Sequence, residues 1–306
     1  MLVGTSLVVT PAAVALAAIP MEVTWSYGVA ALVFATGLVV IFLRGEWRTE
    51  PKLDKLILFG PLFYAVPIAA FGTEHFTLTK GIASIVPAWI PWHVFWVCLV
   101  GACLIAAAFS LVTGIWVRLS ASLLALMFFL FVVLMDVQGC IRNPHNRFAI
   151  ILTFRELSFG AGPLALAASL SLQQNPRAAR VAATIARYFI AIPVLLYAVE
   201  QFLHADHVPG IPLEMVTPAW LFGHSTWTYL TAVIYVIAGI LLLVGKKTRA
   251  AAAWIGLIVL FGILVEYVPI AVAERDSLEG LNYLFDTLMY CGTVLLLAEA
   301  MPRTEK

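Results

Sequence analysis

Nine apolar stretches, each 20 residues or longer, divide this chain, and no other feature constrains the fold as tightly. They lie at approximately 23–43, 56–76, 92–113, 118–138, 149–172, 181–203, 224–244, 250–272 and 281–300. About 20 apolar residues suffice for a helix to cross a bilayer core. Within lipid such runs must be helical, because open backbone groups find no partner there. Composition agrees: of 306 residues 62% are hydrophobic and 11% charged, under half the usual charged share of about 25%. That excludes a soluble two-domain enzyme, a disordered tail protein and a nucleic-acid binder. The expected fold class is an all-α polytopic membrane protein of about nine transmembrane helices. Met1–Pro20 carries Ala15-Leu16-Ala17, like a cleavage site, but no Lys or Arg before it. It reads as an apolar leader that is cleaved, lies at the interface or inserts as a tenth span.

Basic residues in alternate loops set the orientation. One side holds Arg44, Arg48, Lys52, Lys55, Arg118, Arg177, Arg180, Lys246, Lys247, Arg249, Arg303 and Lys306; the other holds Lys80, Arg142, Arg147 and Arg275. Twelve against four places the first set, and the C-terminus, in the cytoplasm of a bacterial-type membrane. Arg155 and Arg187 fall within spans. All six histidines (His75, His93, His145, His204, His207 and His224) then lie on the outer side. The four cysteines, Cys98, Cys103, Cys140 and Cys291, form no C-x-x-C pair and read as packing residues.

The chain also repeats itself. Val86-Pro87-Ala88-Trp89 returns as Thr217-Pro218-Ala219-Trp220, an offset of 131. At that offset His93 matches His224, Trp96 matches Trp227, Gly114 matches Gly245 and Arg118 matches Arg249. Upstream the offset is 126, pairing Pro67 with Pro193 and Glu74 with Glu200. Each unit comprises four helices, and an even number of spans makes the two units parallel. The expected organisation is a leader and first span in 1–50, one unit in 51–173 and a second, more divergent unit in 174–306.

These features resemble the DoxX-like (DoxX/DoxD) family of four-helix membrane proteins, which includes the membrane subunit of thiosulfate:quinone oxidoreductase. The closest match covers about residues 56–168. It rests on Phe71-Gly72-Thr73-Glu74-His75-Phe76, on Val86–Trp89 with Pro91, on Arg118, and on Arg155-Glu156-Leu157-Ser158-Phe159-Gly160. The second unit has Glu200-Gln201-Phe202 for Glu74-His75-Phe76, and Asp286 in place of Arg155. The resemblance implies a four-helix fold per unit and hints at quinone-linked redox work. No binding sequence for flavin, nucleotide or iron–sulfur cluster is evident, so electron chemistry would need a redox partner protein.

Charges within spans cost about 2.5–3.5 kcal/mol each at a helix centre, so each needs a reason. Glu74, Glu200, Asp136, Glu266, Arg155, Glu156 and Asp286 converge on the outer third of the membrane, with His75 beside Glu74. A structural reading makes them two pins. Arg155 with Glu74 or Glu156 is the first, and Asp286 hydrogen-bonded to Tyr267 or Tyr283 is the second; such pins fix register more than they stabilise. A functional reading starts from six acids against one Arg. Acids sharing low-dielectric space cannot all ionise, so part of the set exchanges protons. Glu200, His204 and His207 sit at i, i+4 and i+7, one helix face if the helix continues that far. With no fourth ligand evident, no metal is expected there. His93 and His224 read as helix-start caps beside Trp, and Met127, Phe128, Phe129 and Phe131 as a lipid or packing face.

Three function classes compete: a quinone-associated subunit of an oxidoreductase, catalytic or not; a small-solute, ion or proton transporter; and a non-catalytic scaffold or assembly factor. No cofactor beyond quinone is implied, and the bilayer is the one expected partner common to all three. Whether the two units face each other or a second copy of the chain is open at this level.

Overall fold

The computed structural model describes residues 19–207 and 225–303. Among them no strand occurs, and nine helical spans are long and apolar enough to cross a membrane. They are α1 (Met21–Arg44), α2 (Lys52–Thr77), α3 (His93–Thr113), α4 (Val117–Arg142), α5 (Arg147–Ser171), α6 (Pro176–Leu203), α7 (Ser225–Val244), α8 (Thr248–Ala273) and α9 (Leu278–Ala300). The protein is an all-α polytopic membrane protein, and the expected spans fall on these helices to within five residues. The leader residues 1–18 lie outside the described residues, as do Trp220 and His224.

Local chemistry places the boundaries. Asn146, Asn175 and Ser277 each accept a backbone N–H in the first turn of α5, α6 and α9, the usual N-cap bond. The α3–α4 and α7–α8 turns share one design. Gly114 and Gly245 sit at φ 82° and 75°, and two residues later Trp116 and Lys247 sit at φ 54° and 49°. Glycine takes the left-handed conformation at little cost, which ends each helix abruptly. Pro67 and Pro193, both buried, interrupt α2 and α6 at matched places. Two π-helical turns, Val132–Asp136 in α4 and Ile263–Tyr267 in α8, are likewise related by 131 residues. A π turn inserts a residue into the helical count and re-aims the side chains beyond it.

Within the first unit α2 lies on α3, α3 on α4 and α4 on α5; within the second α6 lies on α7, α7 on α8 and α8 on α9. The units then exchange partners: α5 packs on α6, α9 packs on α2, and α5 meets α9 at the centre. The first unit therefore closes against the second. From Met289 to Ala298 every residue of α9 is buried, as befits a helix surrounded by others. Close approach depends on small side chains. A Cβ on Gly292 would lie 2.4 Å from the backbone N of Tyr64 in α2, and one on Gly162 would lie 2.9 Å from the Cα of Thr293. Gly162 and Thr293 occupy the same place in the two units, so the pseudo-two-fold axis passes between them. Helix α1 breaks the symmetry by lying against α2 and α3, seated by Gly37 against Leu62 and Val112.

Candidate functional site

The axis that passes Gly162 and Thr293 also passes Arg155 and Asp286, again matched positions. Two turns nearer the start of α5, the Arg155 guanidinium donates to an Asp286 carboxylate oxygen across the α5–α9 seam. It also donates to Glu156 Oε1 at 3.1 Å. Identical halves would have set like charges against each other on this axis; their divergence sets Arg against Asp. The guanidinium rests 5.7 Å from the Phe159 ring centroid. Tyr64 Oη donates to the Phe159 carbonyl at 2.8 Å, tying α2 to α5 just beneath.

Two further acids flank this pair. Glu74 of α2 is 8% exposed and lies within coulombic reach of Asp286. Asp136, the last residue of the α4 π turn, faces Glu156 and Arg155. Glu74 Oε1 and Asp136 Oδ2 are enclosed, with no hydrogen-bond partner among the described residues. So Glu74, Asp286, Arg155, Glu156 and Asp136 form a lateral row at one depth, carried by α2, α9, α5 and α4. The pins expected from the sequence are corrected here. Arg155 bonds Asp286 and Glu156 rather than Glu74, because α9, not α5, is the helix that packs on α2. Asp286 is taken up by Arg155 rather than by Tyr267 or Tyr283.

The remaining acids are placed differently. Glu200, the counterpart of Glu74, accepts a hydrogen bond from Arg147 Nε at the start of α5. By symmetry Glu74 should meet residue 278, and that residue is leucine. Here lies the physical origin of the asymmetry: one matched glutamate has a cation, and the other has none among the described residues. Arg147, counted from the sequence as an outer-loop residue, thus enters the polar layer. Glu266 is fully buried in the α8 π turn beside Trp227.

The continuous helical face suggested for Glu200, His204 and His207 does not form, because α6 ends at Leu203 and His204 leaves helical geometry. His204 Nε2 stands 3.9 Å from Glu200, and His207 Nδ1 pairs with Asp206 at 3.0 Å. That hydrogen bond holds the Asp206 carboxyl below its ordinary range. Among the described residues no group of three or more His, Cys, Asp and Glu side chains could hold a metal ion. His75 Nδ1 bonds its own helix at the Phe71 carbonyl, 2.7 Å away, and His93 opens α3 next to the exposed Trp92. Cys291 is buried and bonds the Gly256 carbonyl at 3.3 Å, while Phe128 and Phe129 pack on Phe159 and Phe189.

No protein-family model, curated protein or solved structure matches the chain. The functional reading therefore rests on the residues and their geometry.

Proposed function

We propose that the protein is a DoxX-like membrane subunit serving a quinone-linked redox system in a bacterial-type cytoplasmic membrane, with its C-terminus in the cytoplasm. In this reading the row around Arg155 takes up and releases the protons of that chemistry at the outer leaflet. One observation carries it: Glu74 and Asp136 flank a single guanidinium, each with an enclosed oxygen that has no partner among the described residues. A carboxyl in that setting is stable as the neutral acid and ready to hand its proton to an incoming base. Quinone reduction takes up two protons per ring and needs such donors near apolar surface.

A solute or ion transporter, the second reading, would need polar groups through the inner half of the bundle. There the central helix runs Val294-Leu295-Leu296-Leu297-Ala298, all fully buried. This favours a site open to one side.

The test begins with protein extracted in mild detergent and analysed for bound quinone. Quinone reduction in membranes is then compared for wild type, Glu74→Gln and Asp136→Asn. The proposal expects quinone in the preparation and a rate loss of about a hundredfold or more in either variant, the low end of general acid–base effects of about 10²–10⁴. A quinone-free preparation with unchanged rates overturns it. Loss of ion or solute flux in reconstituted vesicles would identify a transporter instead, and a co-purifying protein insensitive to both substitutions would identify a scaffold.

A further inference from the structure

Comparison of matched positions shows a second polar feature that the row around Arg155 does not use. Along the axis-facing side of α9, Asp286, Tyr290 and Thr293 stand at i, i+4 and i+7, one face of a helix. Their counterparts on α5 are Arg155, Phe159 and Gly162. Where the first unit has Phe71 and Leu104, the second has Tyr197 and Tyr235, so three buried tyrosines replace two phenylalanines and a leucine. Tyr197, Tyr235 and Tyr290 are 3%, 4% and 3% exposed. The rings of Tyr197 and Tyr290 stand edge to face with centroids 5.6 Å apart. Tyr235 lies within electrostatic reach of both, and Tyr197 within reach of Arg155.

The hydroxyls of Tyr197, Tyr290 and Thr293 and Arg155 Nε are all enclosed, and none has a hydrogen-bond partner among the described residues. The sister unit shows that phenylalanines, Phe71 and Phe159, fill the positions of Tyr197 and Tyr290. Packing alone therefore does not call for these hydroxyls. Leaving one buried and unsatisfied costs about 1–3 kcal/mol, and the three groups linked through Tyr197 (Arg155, Tyr197 and Tyr290) match the two to four bonds that a buried water makes.

We infer that the second half of the bundle binds ordered water along the Asp286–Tyr290–Thr293 face, joined from α6 by Tyr197. The stripe covers about 10 Å of helix at 1.5 Å per residue, and ends on Leu296 and Leu297, both fully buried. The result is a short row of bound water that joins the Arg155–Asp286 pair to the Tyr197 and Tyr290 hydroxyls and stops at the Leu296–Leu297 layer. The first half, with Phe159 and Gly162 on the matching face, stays dry. This bound water goes beyond the quinone reading and does not depend on it, because its test requires no redox partner.

Radiolytic hydroxyl labelling of the purified full chain, with ¹⁸O-water as the probe, reads internal water directly. Tyr290 and Phe159 form the comparison: both are buried, at 3% and 2% exposure, and occupy matched positions. The inference expects ¹⁸O incorporation at Tyr290 and Tyr197 at least tenfold above that at Phe159. Incorporation at Tyr290 no greater than at Phe159 overturns it. Tyr197→Phe and Tyr290→Phe install the residue type that the sister unit already accommodates, so folding is retained. If the hydroxyls hold water, each variant leaves Tm unchanged or lowers it, and Tyr197→Phe reduces the labelling of Tyr290. A raised Tm in these variants means that the hydroxyls were dry and unsatisfied, which also overturns the inference.

Discussion

Glu74 and Glu200 occupy the same place in their two halves and meet different neighbours. Glu200 has the Arg147 guanidinium, whose side chain is 35% exposed, whereas Glu74 is inside with no cation of its own among the described residues. Removing the charge should therefore have opposite consequences. Glu200→Gln is expected to lower stability by about 1 kcal/mol, the value of a partly exposed pair, measured by unfolding in detergent. Glu74→Gln is expected to leave stability unchanged or raise it while affecting the proposed proton chemistry. At the rim, His207 holds the Asp206 carboxyl below its ordinary value. The contact is therefore present at neutral pH and is lost as pH falls through that lowered value. Carboxyl titration by NMR should give Asp206 a midpoint below that of an unpaired aspartate, and Asp206→Asn should remove that midpoint. The place of every acid along its helix could be read from the span ends. Its partner could not, because a repeat gives equivalent positions without saying which of them face the axis.

At the scale of the helix, two arginines from unrelated positions perform one task. Arg44 of α1 donates to the Thr113 carbonyl at the end of α3, and Arg187 of α6 donates to the Leu242 and Leu243 carbonyls at the end of α7. Each satisfies carbonyls that a helix end leaves open. Arg187→Ala should destabilise by about 1 kcal/mol, the net worth of such a bond, seen as faster amide exchange in the last turn of α7. Tight seams behave differently from open faces. Gly292→Ala pushes a methyl onto the Tyr64 backbone and should cost about 1–3 kcal/mol by overpacking. Gly28→Ala meets nothing within 4 Å and should be neutral or stabilising by up to about 1 kcal/mol. Comparing the thermal midpoints of the two variants checks both. The spans themselves were legible because lipid demands long apolar runs. The π turns were not, since re-counting a single turn leaves hydropathy unchanged; only their recurrence at the repeat offset marks them as a built feature. The tyrosines at the Phe71, Leu104 and Phe159 equivalents carried a readable signal in the repeat, although no charge marks them.

For the molecule as a whole, two parallel units interlock, so that α5 and α9 meet at the centre and each first helix packs on the other unit. Neither unit closes on itself, which is why Arg155, besides the expected Glu156, reaches Asp286 of the other unit and not Glu74. The site lies where the halves have diverged: Arg155 against Asp286 on the axis, with Glu74 and Asp136 to either side. The most direct measurement is a double-mutant cycle on that pair in the full chain, read by equilibrium unfolding in detergent. Arg155→Ala and Asp286→Ala should each cost about 3–5 kcal/mol, the range for breaking a buried ion pair. The double variant should cost clearly less than their sum, and the exchange Arg155→Asp with Asp286→Arg should recover most of the loss. Strictly additive single effects, with no recovery on exchange, would contradict a meeting of the two units at these residues.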